Sequence, residues 1–338
     1  MSKKIAAFGE VMMRLQVPGF ELLSQANTLN YSFSGTGVNV VSTMTRYGYE
    51  GYLVSALPDN PLGQAAESYL GKLGISKNYL VRFGQYLGHY FLESGVGVRP
   101  SRVTYSNRLE SSFNTAPEAI YDFEKIAKET DVVHFCGITL AMNDVARNNI
   151  RRFATAVKDN DGIVVFDCNY RPTLWGENSY KKAKPYYEEL LFLADIVLMN
   201  EKDAIHVLGM QTEKTDRHQQ LKDLIPKVAK KYSIPVIAGT HRTIHEDHTH
   251  SLQGYLYKED QFSFSDTLTF TVHDRIGAGD AFTSGIIYGE LEGMSARKTV
   301  DFATTAGMLK HTTVGDTPVL SDVEIFESME TKGTDIKR

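Results

Sequence analysis

Short β-branched and apolar runs alternate along this chain with longer stretches of helical period, and that rhythm leaves few folds open. The runs at 4–8, 52–56, 132–135, 163–166, 196–199 and 235–238 are apolar almost throughout and too short for helices, as expected of strands buried on both faces. Between them, 62–73, 145–157, 183–193 and 221–230 repeat their apolar residues every 3.6 positions. Strand, helix and parallel strand in succession predict a three-layer αβα core around a mostly parallel central sheet. Two stretches break the rhythm. Segment 83–113 is rich in glycine, tyrosine and alternating residues, and 11–35 contains the alternating run Leu29-Asn30-Tyr31-Ser32-Phe33; both read as hairpins. The expected division is a core of 1–10, 36–82 and 114–330, a small β-sheet lid of 11–35 and 83–113, and a frayed polar tail at 331–338.

A formal net charge of −5, with 23% charged and 42% hydrophobic residues, gives no electrostatic footprint for nucleic acid. Anion binding must come from local clusters. The opening MSKKIAAFGE has an apolar run too short for a secretion signal or membrane span, so a cytoplasmic enzyme is expected. Cys136 and Cys168 lie in apolar runs without zinc or redox spacing and read as reduced core residues.

The sharpest local signal is Asp274-Arg275-Ile276-Gly277-Ala278-Gly279-Asp280-Ala281-Phe282, followed by a helical pattern at 283–291. Glycines before a helix let backbone N–H groups approach an anion, and the helix start adds partial positive charge. Asp280 beside that anion could take the proton of an attacking hydroxyl. A plain tight turn with an acid on the helix dipole is the other reading.

DRIGAGDAF is similar to the C-terminal signature of the PfkB, or ribokinase-like, sugar kinases. The resemblance extends to Gly9-Glu10, Gly35 with Asn39, Asp59-Asn60-Pro61-Leu62-Gly63 and Asn200-Glu201. Within the family, LGHYFLE (87–93), Arg99-Pro100-Ser101 with Val103 and Tyr105, CGITLAM (136–142), FDCNYRPTLW (166–175) and KHTTVGD (310–316) look most like the 2-keto-3-deoxygluconate (KDG) kinases. It implies an anion hole at Gly277, Ala278 and Gly279, Asp280 as general base, and sugar-acid contacts from Gly35, Asn39, Tyr90, Tyr105, Arg108 and Arg171. A guanidinium fork suits a carboxylate, which favours Arg171, although a surface arginine after a strand is the alternative. Arg108 stands one residue beyond the family's Tyr-x-Arg spacing, so on an extended strand it would face the wrong way unless a bulge intervenes. Tyr90 and Tyr105 could equally pack within the small sheet. Ser34-Gly35-Thr36-Gly37-Val38-Asn39 departs from the usual Gly-Gly-Ala-Glu-Ala-Asn, leaving the sugar open.

The implied co-substrate is ATP with Mg²⁺, near Asn200, Thr240, Gly277 and Gly279. Asp203 completes a variant Asn-x-x-Glu motif and would reach metal through water; a helix N-cap with acids in its first turn is the alternative. The histidines at 241, 245, 248 and 250 read as a solvated polar loop rather than a transition-metal site, and Thr240 lacks the family's glycine-rich continuation. The expected activity is phosphorylation of KDG at its terminal hydroxyl, with another sugar as runner-up and a non-catalytic sugar-binding regulator as the other class. No Gly-x-Gly-x-x-Gly turn follows the first strand and no Walker motif is present, which argues against a dinucleotide oxidoreductase or P-loop enzyme. The resemblance also implies a homodimer or higher homo-oligomer through the lid.

Overall fold

The computed structural model describes residues 2–331. Among these, fourteen strands form two sheets: β1 (Lys4–Phe8), β2 (Met12–Gln16), β3 (Asn30–Ser34), β4 (Glu50–Leu57), β5 (Leu80–Arg82), β6 (Gly88–Glu93), β7 (Arg102–Ser106), β8 (Val132–Cys136), β9 (Ile163–Asp167), β10 (Ile196–Leu198), β11 (Val236–Ile244), β12 (His250–Lys258), β13 (Gln261–Phe264) and β14 (Leu268–Phe270). The large sheet runs β13-β12-β11-β10-β9-β8-β1-β4-β5, with β14 on β12. It is parallel from β5 through β11 and antiparallel beyond.

Successive strand residues point to opposite faces, and both faces are covered. On β9, Val164 and Phe166 meet Ile150, Phe153, Tyr187 and Leu224 from the helices Asp144–Asp159, Ser179–Leu191 and Arg217–Tyr232. Val165, between them, belongs to the cluster on the other side with Val40, Ile286, Ile287 and Phe302 from Thr36–Arg46, Ala278–Leu291 and Ala296–Lys310. The helix starts are marked in the sequence. Asn60 accepts from the N–H groups of Leu62 and Gly63 at 3.1 Å, with Pro61 opening the helix Pro61–Lys72, and Asn143 and Asp216 cap their helices likewise. Each such cap satisfies donors the helix cannot.

The small sheet has order β3-β2-β6-β7. Its outer pairs are antiparallel as the alternation predicts, but its central pair β2–β6 is parallel. The chain leaves the lid after β3, runs through two helices and strands β4 and β5 of the core, and re-enters with β6; that long crossover permits a parallel neighbour where a tight hairpin could not.

The strand expected at 235–238 continues to Ile244, and the histidine run is a β-hairpin rather than a loop. His245 donates its backbone N–H to Thr249 at 2.9 Å and His248 takes a positive φ of 65° at the turn. Polar residues conceal this strand because its end leaves the core. Of the tail expected at 331–338, 332–338 lies outside the described residues; the core before it ends in the helix Asp322–Glu330, closed at its start by a Ser321–Glu324 capping box.

Candidate active site

The C-terminal ends of the parallel strands and the inner face of the small sheet enclose a cleft of ≈ 940 Å³. Open parallel sheets hold ligands at that end. All thirteen residues singled out from sequence border it: Gly35, Asn39, Tyr90, Tyr105, Arg108, Arg171, Asn200, Asp203, Thr240, Gly277, Ala278, Gly279 and Asp280.

At its floor the helix Ala278–Leu291 begins. Gly277 precedes it with φ 84°, and a Cβ there would stand 1.7 Å from the Asp316 carbonyl oxygen, so only glycine fits. Gly279 differs, since a Cβ on it would meet nothing within 4 Å. The helix start therefore faces open space, and the first-turn N–H groups of Gly279 and Asp280 have no acceptor among the described residues. That arrangement suits a phosphate. Asp280 is 5% exposed, and burial pushes its carboxyl up to about 7; Asp167 and Asp316 add to the rise, while Asn39 and Arg171 oppose it. Asn39, itself buried, donates from Nδ2 to Asp280 Oδ2 at 2.6 Å and accepts from Thr317 Oγ1 at 3.3 Å. The Thr317 bond fixes which end of the Asn39 amide faces the carboxylate.

Burial also raises Asp167 to about 6 and Asp203 to about 7. Asp203 accepts the Asn200 backbone N–H at 2.9 Å and Asn200 caps Lys202 N–H at 2.8 Å, so the capping expected of this segment is present. Among the described residues no group of three or more His, Cys, Asp or Glu side chains could hold a metal by itself. Arg171 follows β9 on the rim, its only hydrogen bond among the described residues a 3.2 Å contact to the Tyr170 carbonyl, and its charge reaches Asp167, Asp203 and Asp280.

The lid supplies the opposite wall. Tyr90 and Tyr105 are cross-strand partners with ring centroids 6.3 Å apart. The Tyr90 hydroxyl reaches Asp316 and lies 3.3 Å from Ser34 Oγ, while Tyr105 is exposed. Both tyrosines thus pack in the small sheet and border the cleft. Arg108 is turned inward because β7 ends at Ser106 and Asn107 takes φ 52°. This is a left-handed residue rather than a bulge. The Arg108 Nε binds Glu10 at 2.9 Å, its guanidinium lies 4.8 Å above the Tyr105 ring, and its buried Nη1 has no partner among the described residues.

Several functional candidates escaped the sequence reading. Arg14 on β2 is 2% exposed and joins Asp316 as well as Asp274, the latter at 2.8 Å. It ties the lid to both sides of the glycine turn. Arginine in a lid strand carried no local signal; only its tertiary partners identify it. Asp167, Arg242 and Arg275 also border the cleft. His241 points away from Thr240 and Arg242, as strand alternation requires, and pairs with Glu201 at 2.8 Å. Burial opposes ionisation of Glu201, but the bonds from His241 and Arg217 bring its carboxyl down to about 2.

Such a cleft can seat an anion at the helix start, take a proton at Asp280 and grip a carboxylate with unpaired guanidinium nitrogens. Comparison with known proteins gives the family. The family model described as pfkB family carbohydrate kinase matches residues 2–322. The chain is 25% identical over 327 residues to a 2-dehydro-3-deoxygalactonokinase of Haloferax volcanii, covering 96% of each. Its structure is similar to a solved candidate 2-keto-3-deoxygluconate kinase of Enterococcus faecalis (TM-score 0.95, 38% identity, 100% and 99% of the two chains covered). It is also similar to the 2-dehydro-3-deoxygluconokinase of Thermotoga maritima (TM-score 0.92, 32% identity, 97% and 100% covered).

Proposed function

This chain belongs to the pfkB family of carbohydrate kinases and is therefore a phosphotransferase with an alcohol group as acceptor; from that premise, we propose that it phosphorylates the terminal hydroxyl of a linear sugar acid, 2-keto-3-deoxygluconate, using ATP and giving the 6-phosphate. The observation that carries this reading is the buried Asp280 carboxyl at the open helix start, in one cleft with Arg171, which has no carboxylate partner among the described residues.

The sugar acid's carboxylate would lie against Arg171, with Tyr90, Tyr105, Arg108 and the Gly35 backbone lining the chain of the sugar. Its far hydroxyl then approaches Asp280. As the hydroxyl oxygen bonds to the γ-phosphorus, its proton passes to the Asp280 carboxylate and the bond to the bridging oxygen of ADP breaks. A base near 7 is matched to neutral pH, ionised in a useful fraction yet basic enough to take the proton. Asn39 acts through Asp280 by orienting it rather than by touching the sugar. First-turn N–H groups at Gly279 and Asp280 hold the transferring phosphoryl group, with the nucleotide extending toward Thr240 and Asn200. Mg²⁺ would neutralise phosphate charge, with Asp203 reaching it through water; the lack of a three-ligand protein cluster among the described residues fits an ion held mainly by water and phosphate oxygens.

The named relatives act on acids differing in configuration at one carbon, so the galactonate epimer is the nearest alternative acceptor. An ATP-consumption assay with KDG, its galactonate epimer, gluconate, fructose and ribose, with and without Mg²⁺, decides. Preference for a 2-keto-3-deoxy acid supports the reading; turnover on neutral sugars alone refutes the Arg171 argument. The small sheet ends in the edge strands β3 and β7, which supports a homo-oligomer that pairs or covers a lid edge, and light scattering giving only monomer would remove it. We place the enzyme in the cytoplasm, where ATP is available and the buried thiols Cys136 and Cys168 stay reduced.

A further inference from the structure

Two arginines stand at the end of the cleft away from Arg171. Arg242 lies on β11 opposite Leu252 of β12, two residues past Thr240 and so on the same face. Arg275 immediately precedes the glycine turn, its carbonyl accepting the Ala278 N–H at 3.4 Å. Both border the cleft, and neither guanidinium has a hydrogen-bond or ion-pair partner among the described residues. Burial and the charge of Arg275 together lower Arg242; both charges help hold down His250, and that of Arg242 helps hold down His311, which lies at about 4 after burial has done most of the lowering. Uncompensated positive charge is thus gathered beside the glycine turn, in a cleft that Asp167, Asp203 and Asp280 also line. Arg242 is half-buried and Arg275 exposed, so an anion arriving there meets both guanidiniums.

We propose that Arg242 and Arg275 form a two-guanidinium clamp on the phosphate chain of the nucleoside triphosphate donor, Arg275 beside the phosphate at the helix start and Arg242 on those farther out. A triphosphate carries more charge than a single carboxylate and suits two forks. The acceptor end is already furnished with Arg171, Arg108 and the lid tyrosines, and the charge of Arg171 acts on a different set of groups from those that Arg242 and Arg275 affect. This inference rests on the proposed nucleotide donor. Positioning through charge is what it assigns, with Asp280 keeping the proton transfer.

The test measures binding of a non-hydrolysable ATP analogue and of adenosine, together with steady-state kinetics, for the wild type, Arg242→Met, Arg275→Met and the two lysine variants. Each methionine variant should weaken analogue binding and raise the KM for ATP by about 10-fold or more, as loss of a charge-assisted contact does. Adenosine affinity and the KM for the sugar acid should stay within about 2-fold, and lysine should restore part of the loss. The slope of log affinity against log salt should also become shallower. Unchanged analogue affinity in both methionine variants, or a rise in the KM for the sugar acid instead, overturns the clamp and leaves the kinase reading standing. A wild-type protein that binds no nucleoside triphosphate overturns the donor assignment itself. Equal loss of adenosine and analogue binding would mean a disturbed fold in place of a phosphate contact, and would likewise count against the clamp.

Discussion

Replacing Asp280 by asparagine should abolish turnover and, at the same time, stabilise the protein in a pH-dependent way. Burial raises the Asp280 carboxyl from 3.8 to about 7, and one pH unit is worth about 1.4 kcal/mol, so holding this group ionised in the folded chain costs roughly 4 kcal/mol. Below about pH 4 folded and unfolded chains both keep the proton and nothing is lost. As pH rises toward 7 the unfolded chain releases it while the folded chain retains it, so the stabilising contribution falls and is gone above 7. Asparagine is neutral throughout, and its amide oxygen can take the Asn39 bond. The variant should therefore match the wild type near pH 4 and exceed it by up to roughly 4 kcal/mol at pH 8. Urea titrations at both pH values measure the gap, and an ATP-consumption assay on the same samples should fall by about 10²–10⁴-fold. A gap that does not widen with pH would refute the desolvation argument; retained turnover would refute the base.

Asn39→Leu removes the bond that holds Asp280 down. Its carboxyl should rise further, moving the ascending limb of the kcat/KM profile from near 7 to higher pH by about 1–2 pH units; a limb that stays in place would show that Asn39 has another role. Arg14→Met leaves Asp274 and Asp316 buried without their cation and should cost about 3–5 kcal/mol of stability by urea titration. A loss under about 1 kcal/mol would mean that the lid is not fastened to the glycine turn through this residue.

Local chemistry is written in the sequence wherever neighbouring residues enforce it. The buried strands of the core are apolar because helices cover both their faces, Asn60 and Pro61 announce their helix because a helix start needs an acceptor and tolerates a missing donor, and the glycine turn before Asp280 is visible because only glycine fits at Gly277. Arg108 shows the limit. Its spacing predicts an outward side chain, and one left-handed residue, Asn107, turns it inward, a backbone choice that composition does not dictate. The strand at 239–244 was hidden because its residues leave the apolar core for the polar cleft and hairpin. Arg14 lies 260 residues or more from both its partners, and Arg242 and Arg275 come together from separate segments. Sequence alone thus determined the layers, the turn and which residues stand at the helix start, all consequences of short-range periodicity and backbone sterics. Only the tertiary structure decided which charges are compensated and which are not, because electrostatic energy depends on distance and burial in space rather than on separation along the chain.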